Sequence, residues 1–131
     1  YNASLTIINS TFDNNSAGYL GGGALYGTGS SISIFNSIFW ADFAPSNYEF
    51  DLSGGSALVL FSDIQGGYAG PADINSDPLF VNPLAGNYQL QGGSPCINVG
   101  DNVFLPPGIT TDLAGNPRID GGTVDMGAYE Y

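Results

Sequence analysis

The sequence predicts an all-β solenoid of about three coils, each ~26 residues long, followed by an irregular β-rich cap. Three observations predict it: the first half repeats itself, apolar residues alternate within each repeat, and the connections are rich in glycine, serine and asparagine. Ser4-Leu5-Thr6-Ile7-Ile8-Asn9-Ser10-Thr11-Phe12 matches Ser31-Ile32-Ser33-Ile34-Phe35-Asn36-Ser37-Ile38-Phe39 in kind at every position but Thr11 against Ile38. Leu58-Val59-Leu60-Phe61-Ser62-Asp63-Ile64 reads as a third copy, with Leu58 one coil length beyond Ile32. Ala24-Leu25-Tyr26 aligns with Phe50-Asp51-Leu52 at the same spacing.

Taken in order, Leu5/Ile7, Ile32/Ile34 and Leu58/Leu60 alternate with their neighbours, the period of strands with one buried face. Gly21-Gly22-Gly23, Gly27 to Ser30 and Ser53 to Ser56 separate the strands as turns. Two short strands and their turns leave no room for a crossover helix. A chain that returns so soon can instead coil, each strand pairing in parallel with its equivalent one turn later. Equivalent side chains then stack about 4.8 Å apart, which predicts the ladders Leu5–Ile32–Leu58, Ile7–Ile34–Leu60 and, at a bend, Asn9–Asn36–Ser62. Residues 1–70 are assigned to the coils. Beyond them come Asp77-Pro78-Leu79-Phe80, then Asn87-Tyr88-Gln89-Leu90 as a strand, and a glycine-rich tail. These pieces, too short for long helices, are expected to form a cap, residues 71–131, continuous with the solenoid and folded over the last coil.

Composition narrows the function. Twelve acidic residues against one basic residue give a net charge of -11. Nucleic-acid binding needs clustered Lys or Arg to displace counterions, and a single Arg excludes it. An anionic membrane surface would repel the chain, and no apolar run approaches the ~20 residues that span a bilayer. The 43% hydrophobic and 13% aromatic content argues for an ordered fold despite the low charge. Cys96 stands alone, so no internal disulfide forms, and without His or Lys nearby it reads as a buried small side chain. Tyr1 opens the chain and the only Met is Met126, so a mature or excised segment is expected, with either coils missing before Tyr1 or another chain covering the N-terminal coil face. That uncovered N-terminal coil face is a candidate surface for end-to-end self-association.

In order along the chain, Asp77-Pro78-Leu79-Phe80, Tyr88-Gln89-Leu90, Gly93-Ser94-Pro95-Cys96-Ile97, Asp112-Leu113-Ala114-Gly115-Asn116-Pro117-Arg118 and Asp125-Met126-Gly127-Ala128-Tyr129-Glu130 form a set. This set resembles the C-terminal region of bacterial right-handed parallel β-helix surface proteins, the choice-of-anchor class of the pectate-lyase-like superfamily, over residues 71–131. The Asn-Ser-x-Phe and triple-glycine coils resemble the repeats upstream of that region. The resemblance implies a right-handed parallel β-helix, export to the medium or cell surface, and an anchoring signal beyond the Gly-Ala-Tyr-Glu end. Cys96 departs from the small residue expected there.

Candidate sites are few. A uronate lyase needs a base such as Lys, Arg or His, and only Arg118 is present; its place in Gly-Asn-Pro-Arg points to pairing with a carboxylate such as Asp112 or Asp120 and to bonding loop carbonyls. Asp51 is expected to face outward and Asp63 to replace Ser10 and Ser37, leaving no acidic ladder for glycoside hydrolysis. No catalytic residue and no cofactor are therefore assigned. Asp73, Asn75 and Asp77 are weak calcium candidates, since alternating oxygens suit a hard cation, but no calcium-loop signature surrounds them. Trp40, Tyr48 and Tyr19, with Phe43, are candidates for stacking on sugar rings. The function expected is that of a non-catalytic structural or adhesive module, secreted or cell-surface, with the carbohydrate-binding end of a larger polysaccharide-active protein as the alternative.

Overall fold

The computed structural model describes residues 3–18, 21–45 and 49–131. The chain is all-β, with ten short strands and two single-turn 3-10 segments among the described residues. Strands β1 (Ser4–Ile8), β4 (Ser31–Phe35) and β7 (Ser56–Leu60) form one parallel sheet, in that order. A second parallel sheet is built from β2 (Thr11–Asp13), β5 (Ile38–Trp40) and β8 (Asp63–Ile64). A third holds only β3 (Leu25–Thr28) and β6 (Phe50–Ser53) among the described residues. Each sheet is therefore assembled from strands far apart in sequence, because the chain revisits the same positions on successive passes.

The register departs from expectation in the third pass. Leu5 pairs with Ile32 and Ile7 with Ile34, at the expected offset. Ile32 then pairs with Ala57 and Ile34 with Val59, one residue earlier than the alternation predicts. Leu58 and Leu60 consequently leave the inward ladders: they stand beside Ser33 and Phe35, and Leu58 is half exposed whereas Val59 is buried. The β3–β6 pairing also runs one residue earlier, Leu25 with Phe50 and Tyr26 with Asp51. The inward faces form one apolar cluster of Ile7, Ile32, Ile34, Phe39, Val59 and Ile64. Within it the rings of Phe12 and Phe39 stack at 4.5 Å, as adjacent parallel strands place identical side chains directly over one another.

Left-handed backbone makes the corners. Asn9, Asn36 and Phe61 have φ of 48°, 49° and 52°, and Asn14 and Ala41 both have φ of 56°. Asparagine tolerates this conformation better than other L-residues, which accounts for its recurrence at the bends. Phe61, not Ser62, occupies the third Asn position, so the predicted Asn9–Asn36–Ser62 ladder is corrected to end on Phe61. Ser62 belongs to a serine ladder. The hydroxyls of Ser10, Ser37 and Ser62 donate to the carbonyls of Ile8, Phe35 and Leu60 at 2.9, 2.8 and 3.1 Å. The Ser10 N–H donates to Ser37 Oγ and the Ser37 N–H to Ser62 Oγ, both at 3.2 Å. Asp73 ends the series, its Oδ1 accepting from the Ser62 N–H at 3.0 Å.

The C-terminal half is not simply a lid over the final pass. Pro71 and Ile74 do bond to it, at Phe61, Ser62 and Ile64. Residues beyond about 94, however, reach back along the side: the Gly127 N–H donates to the Asn36 carbonyl and the Ala128 N–H to Thr11 Oγ1. The outer face of the β2–β5–β8 sheet needs this cover because Ile38 projects from it. A second apolar cluster joins Ile38 to Phe80, Leu90, Cys96 and Met126. Phe80 and Leu90 belong to an antiparallel pair, β9 (Phe80–Asn82) and β10 (Asn87–Leu90). Phe104 stacks on Phe35 at 4.1 Å beside the same corner. No helix of the described residues is long and apolar enough to cross a membrane.

Candidate functional site

Two neighbouring outward residues set up a groove. Parallel pairing places Asp13 of β2 directly beside Trp40 of β5. The returning segment that carries Asp77 to Leu84 forms the opposite wall, and Gln91, just after β10, closes one side. The resulting groove has a volume of about 370 Å³ and is lined by Asp13, Asn14, Trp40, Asp77, Leu84 and Gln91 among others. Trp40 is half-buried, its inner part packed against the second apolar cluster. Leu84 is almost fully exposed on the 3-10 turn Pro83–Ala85. An aromatic wall with carboxyl and amide groups around it is the chemistry of a polar ring binder: apolar ring faces meet the indole and hydroxyls meet the oxygens.

A second acidic feature was not anticipated. Asp42 and Glu49 are buried, and Asn15 donates to Asp42 Oδ1 from both its N–H and its Nδ2 at 2.7 Å. The two carboxyl groups lie within hydrogen-bonding reach of each other. Both are acceptors when ionised; Asp42 Oδ2 and both Glu49 oxygens are buried, and the Asp42 backbone N–H offsets only a small part of what raises Glu49. Burial first, then the bond to Asp42 and the charges of Asp42 and Asp13, push Glu49 up to about 9. A proton held on Glu49 is thus the donor that joins the pair. Asp13 is also raised, by burial and then by Asp42.

The chain matches no protein-family model, no curated protein and no solved structure.

The remaining sequence candidates are dispersed. Tyr19 and Tyr48 lie outside the described residues. Phe43 is half exposed. Asp73, Asn75 and Asp77 do not converge: their oxygens accept from the N–H groups of Ser62, Gly66 and Leu79 respectively, three separate turns. No cluster of three or more metal-binding side chains occurs among the described residues. Asp51 is half-buried beside Tyr26. Asp63 stands beside Ile38, not at the serine position, and is fully buried. It accepts from the Ser76 N–H and from the Cys96 thiol, both at 3.2 Å, and burial is the main force lifting it to about 6. Burial, then the Asp63 charge, also pushes the Cys96 thiol upward, so this sulfur is not a nucleophile at neutral pH.

Arg118 is buried and its carboxylate partner is Glu130 at 3.6 Å, in place of the expected Asp112 or Asp120. Its Nη2 donates to the carbonyls of Asp125 and Gly127 at 2.9 and 2.8 Å. Glu130 is pushed up to about 7 by burial and by Asp125, against the pull of Arg118. Asp112 holds the adjoining loop by accepting from the N–H groups of Ala114, Asn116 and Glu130. Burial works to raise Asp112, and these bonds outweigh it, leaving it below the usual range. Arg118 and Asp112 therefore brace the same loop without touching each other's charged atoms.

Proposed function

We propose that this chain is a length of right-handed parallel β-helix from an exported, surface-associated protein, and that it acts as a non-catalytic adhesive module binding carbohydrate in the Trp40 groove. The parallel strands that recur once in each pass of the chain support the β-helix reading, as does the resemblance of residues 71–131. Export rests on that resemblance. The single observation that carries the ligand reading is the groove itself, where the chain's one Trp stands beside Asp13 and across from Asp77 and Gln91. A volume of about 370 Å³ accommodates one or two sugar rings and little more.

A glycan array followed by titration calorimetry tests the reading. Trp40→Ala should weaken binding of the selected oligosaccharide at least about tenfold, a loss of about 1.4 kcal/mol, while the thermal midpoint is followed in parallel to separate binding from folding. Asp13→Asn, which keeps shape and removes charge, should weaken it less. Wild-type silence across the array, or an unchanged affinity in a folded Trp40→Ala variant, would remove the carbohydrate reading. Reducing sugar released by the wild type and not by Asp13→Asn would replace the binding module with a hydrolase.

A further inference from the structure

The corner between the β1–β4–β7 and β2–β5–β8 sheets is built alike in the first two passes, yet only the second is filled. Asn9 and Asn36 make it with φ of 48° and 49°, and the residues before them, Ile8 and Phe35, are paired in register. In the second pass these two positions grip one turn of the C-terminal half. The Asn36 amide holds both backbone groups of Asp101: Nδ2 donates to the carbonyl at 3.0 Å and Oδ1 accepts from the N–H at 2.8 Å. The Asp101 carboxylate accepts from the Val103 N–H and so caps the 3-10 turn Asn102–Phe104. That turn lays the Phe104 ring on Phe35 at 4.1 Å, and Asn36 is fully buried. In the first pass Ile8 and Asn9 are only half-buried. Asn9 Oδ1, shielded from solvent, accepts no hydrogen bond among the described residues. Both residues line a pocket of about 360 Å³, with Pro106, Ile109 and Leu113 as its other apolar surfaces. Ile109 is half exposed and Leu113 more so, an apolar surface open to a partner.

We propose that this pocket is a docking site for a turn of another protein, of the form Asp-x-x-Phe, held by Ile8 and Asn9 as the 101–104 turn is held one pass later. The N–H and carbonyl of the turn's first residue bond to the Asn9 amide, and the ring three residues on lies against Ile8. A side-chain amide without a partner turns about χ2 at little cost, which brings Asn9 Oδ1 to the pocket. That oxygen then gains a donor, and a buried acceptor that lacks one is costly. A peptide is favoured over other amide-bearing ligands because a peptide turn is what the same side chain binds in the second pass. The chain's own turn of this form is already held by Asn36 and Phe35, so the occupant is a partner whose turn is exposed. The pocket shares no lining residue with the Trp40 groove, so the site stands apart from carbohydrate binding.

The test titrates the full, isotopically labelled chain with a synthetic peptide copying Gly100 to Pro106, Gly-Asp-Asn-Val-Phe-Leu-Pro. NMR follows the side-chain amide of Asn9 and the methyl groups of Ile8, and both should shift saturably. Phe104→Ala in the peptide, or an N-methyl group on its Asp nitrogen, should weaken binding at least about tenfold. Asn9→Gly keeps the left-handed corner and removes the amide; it should abolish the shift at Ile8 while the thermal midpoint is followed in parallel. If that variant does not fold, the parent and N-methyl peptides on the wild type still decide. No saturable shift at Ile8 and Asn9, shifts confined to Phe35 and Asn36, or equal affinity for the parent and N-methyl peptides would overturn the proposal. So would the same shifts on concentrating the chain without peptide, which would make a second copy the occupant.

Discussion

Single side chains in this protein spend their polar atoms on backbone that turns would otherwise leave bare. Ser37 is the clearest case, donating to the Phe35 carbonyl and accepting from the Ser10 N–H within one buried stack. Ser37→Ala should destabilise the chain by about 1–3 kcal/mol, because a partly buried N–H and a carbonyl both lose their partner; urea denaturation measures it. Asn36 does comparable work on a longer reach: its Nδ2 donates to the Asp101 carbonyl and its Oδ1 accepts from the Asp101 N–H. Glu49 makes stability depend on pH. Its folded value, about 9, lies above the ordinary 4.5. The folded chain thus holds a proton that the unfolded chain releases, and this contribution is complete below about 4.5 and disappears as pH rises through about 9. Asp63 and Glu130, raised to about 6 and about 7, act in the same direction over narrower windows. Denaturation midpoints should fall across that range in the wild type and fall less steeply in Glu49→Gln; an equal slope in both would assign the pH dependence elsewhere.

At the level of strands, the register separates two readings of one segment. The first repeat is legible because Asn9-Ser10 and Asn36-Ser37 mark the same corner in identical letters. The third pass carries Phe61 at that corner, and Leu58, Val59 and Leu60 are all apolar, so alternation alone cannot tell which of them faces inward. The same slip hid Asp63, which takes the place of Ile38 beneath the C-terminal segment. Val59→Ala should cost about 2 kcal/mol, whereas Leu58→Ala should stay within about 0.5 kcal/mol. Reversed magnitudes in chemical denaturation would restore the other register. Trp40 was legible as the chain's only Trp, but its neighbours were not. Asp13 comes to it through parallel pairing and Asp77 through a later return of the chain, contacts that no local pattern announces. The meeting of Asp42 and Glu49 likewise answers to no repeat in the sequence.

Across the whole molecule, the C-terminal half is a flank as much as an end. Its residues touch the first pass through Thr11, the second through Asn36 and Ile38, and the third through Asp63, binding successive passes together from outside. Loss of this segment would bare Ile38 and strip Asp63 of its thiol and backbone donors, so the parallel sheets and the tail are expected to unfold in one transition. The stacking of parallel strands is what brings Asp13 of β2 beside Trp40 of β5. The most direct test is a methyl and amide NOE experiment on isotopically labelled protein. Parallel stacking predicts a continuous series of contacts from Ile7 to Ile34 to Val59, with amide contacts of parallel strands between β4 and β7. Contacts of Ile34 with Leu60 in place of Val59, or close Hα–Hα contacts of antiparallel strands among these segments, would contradict it.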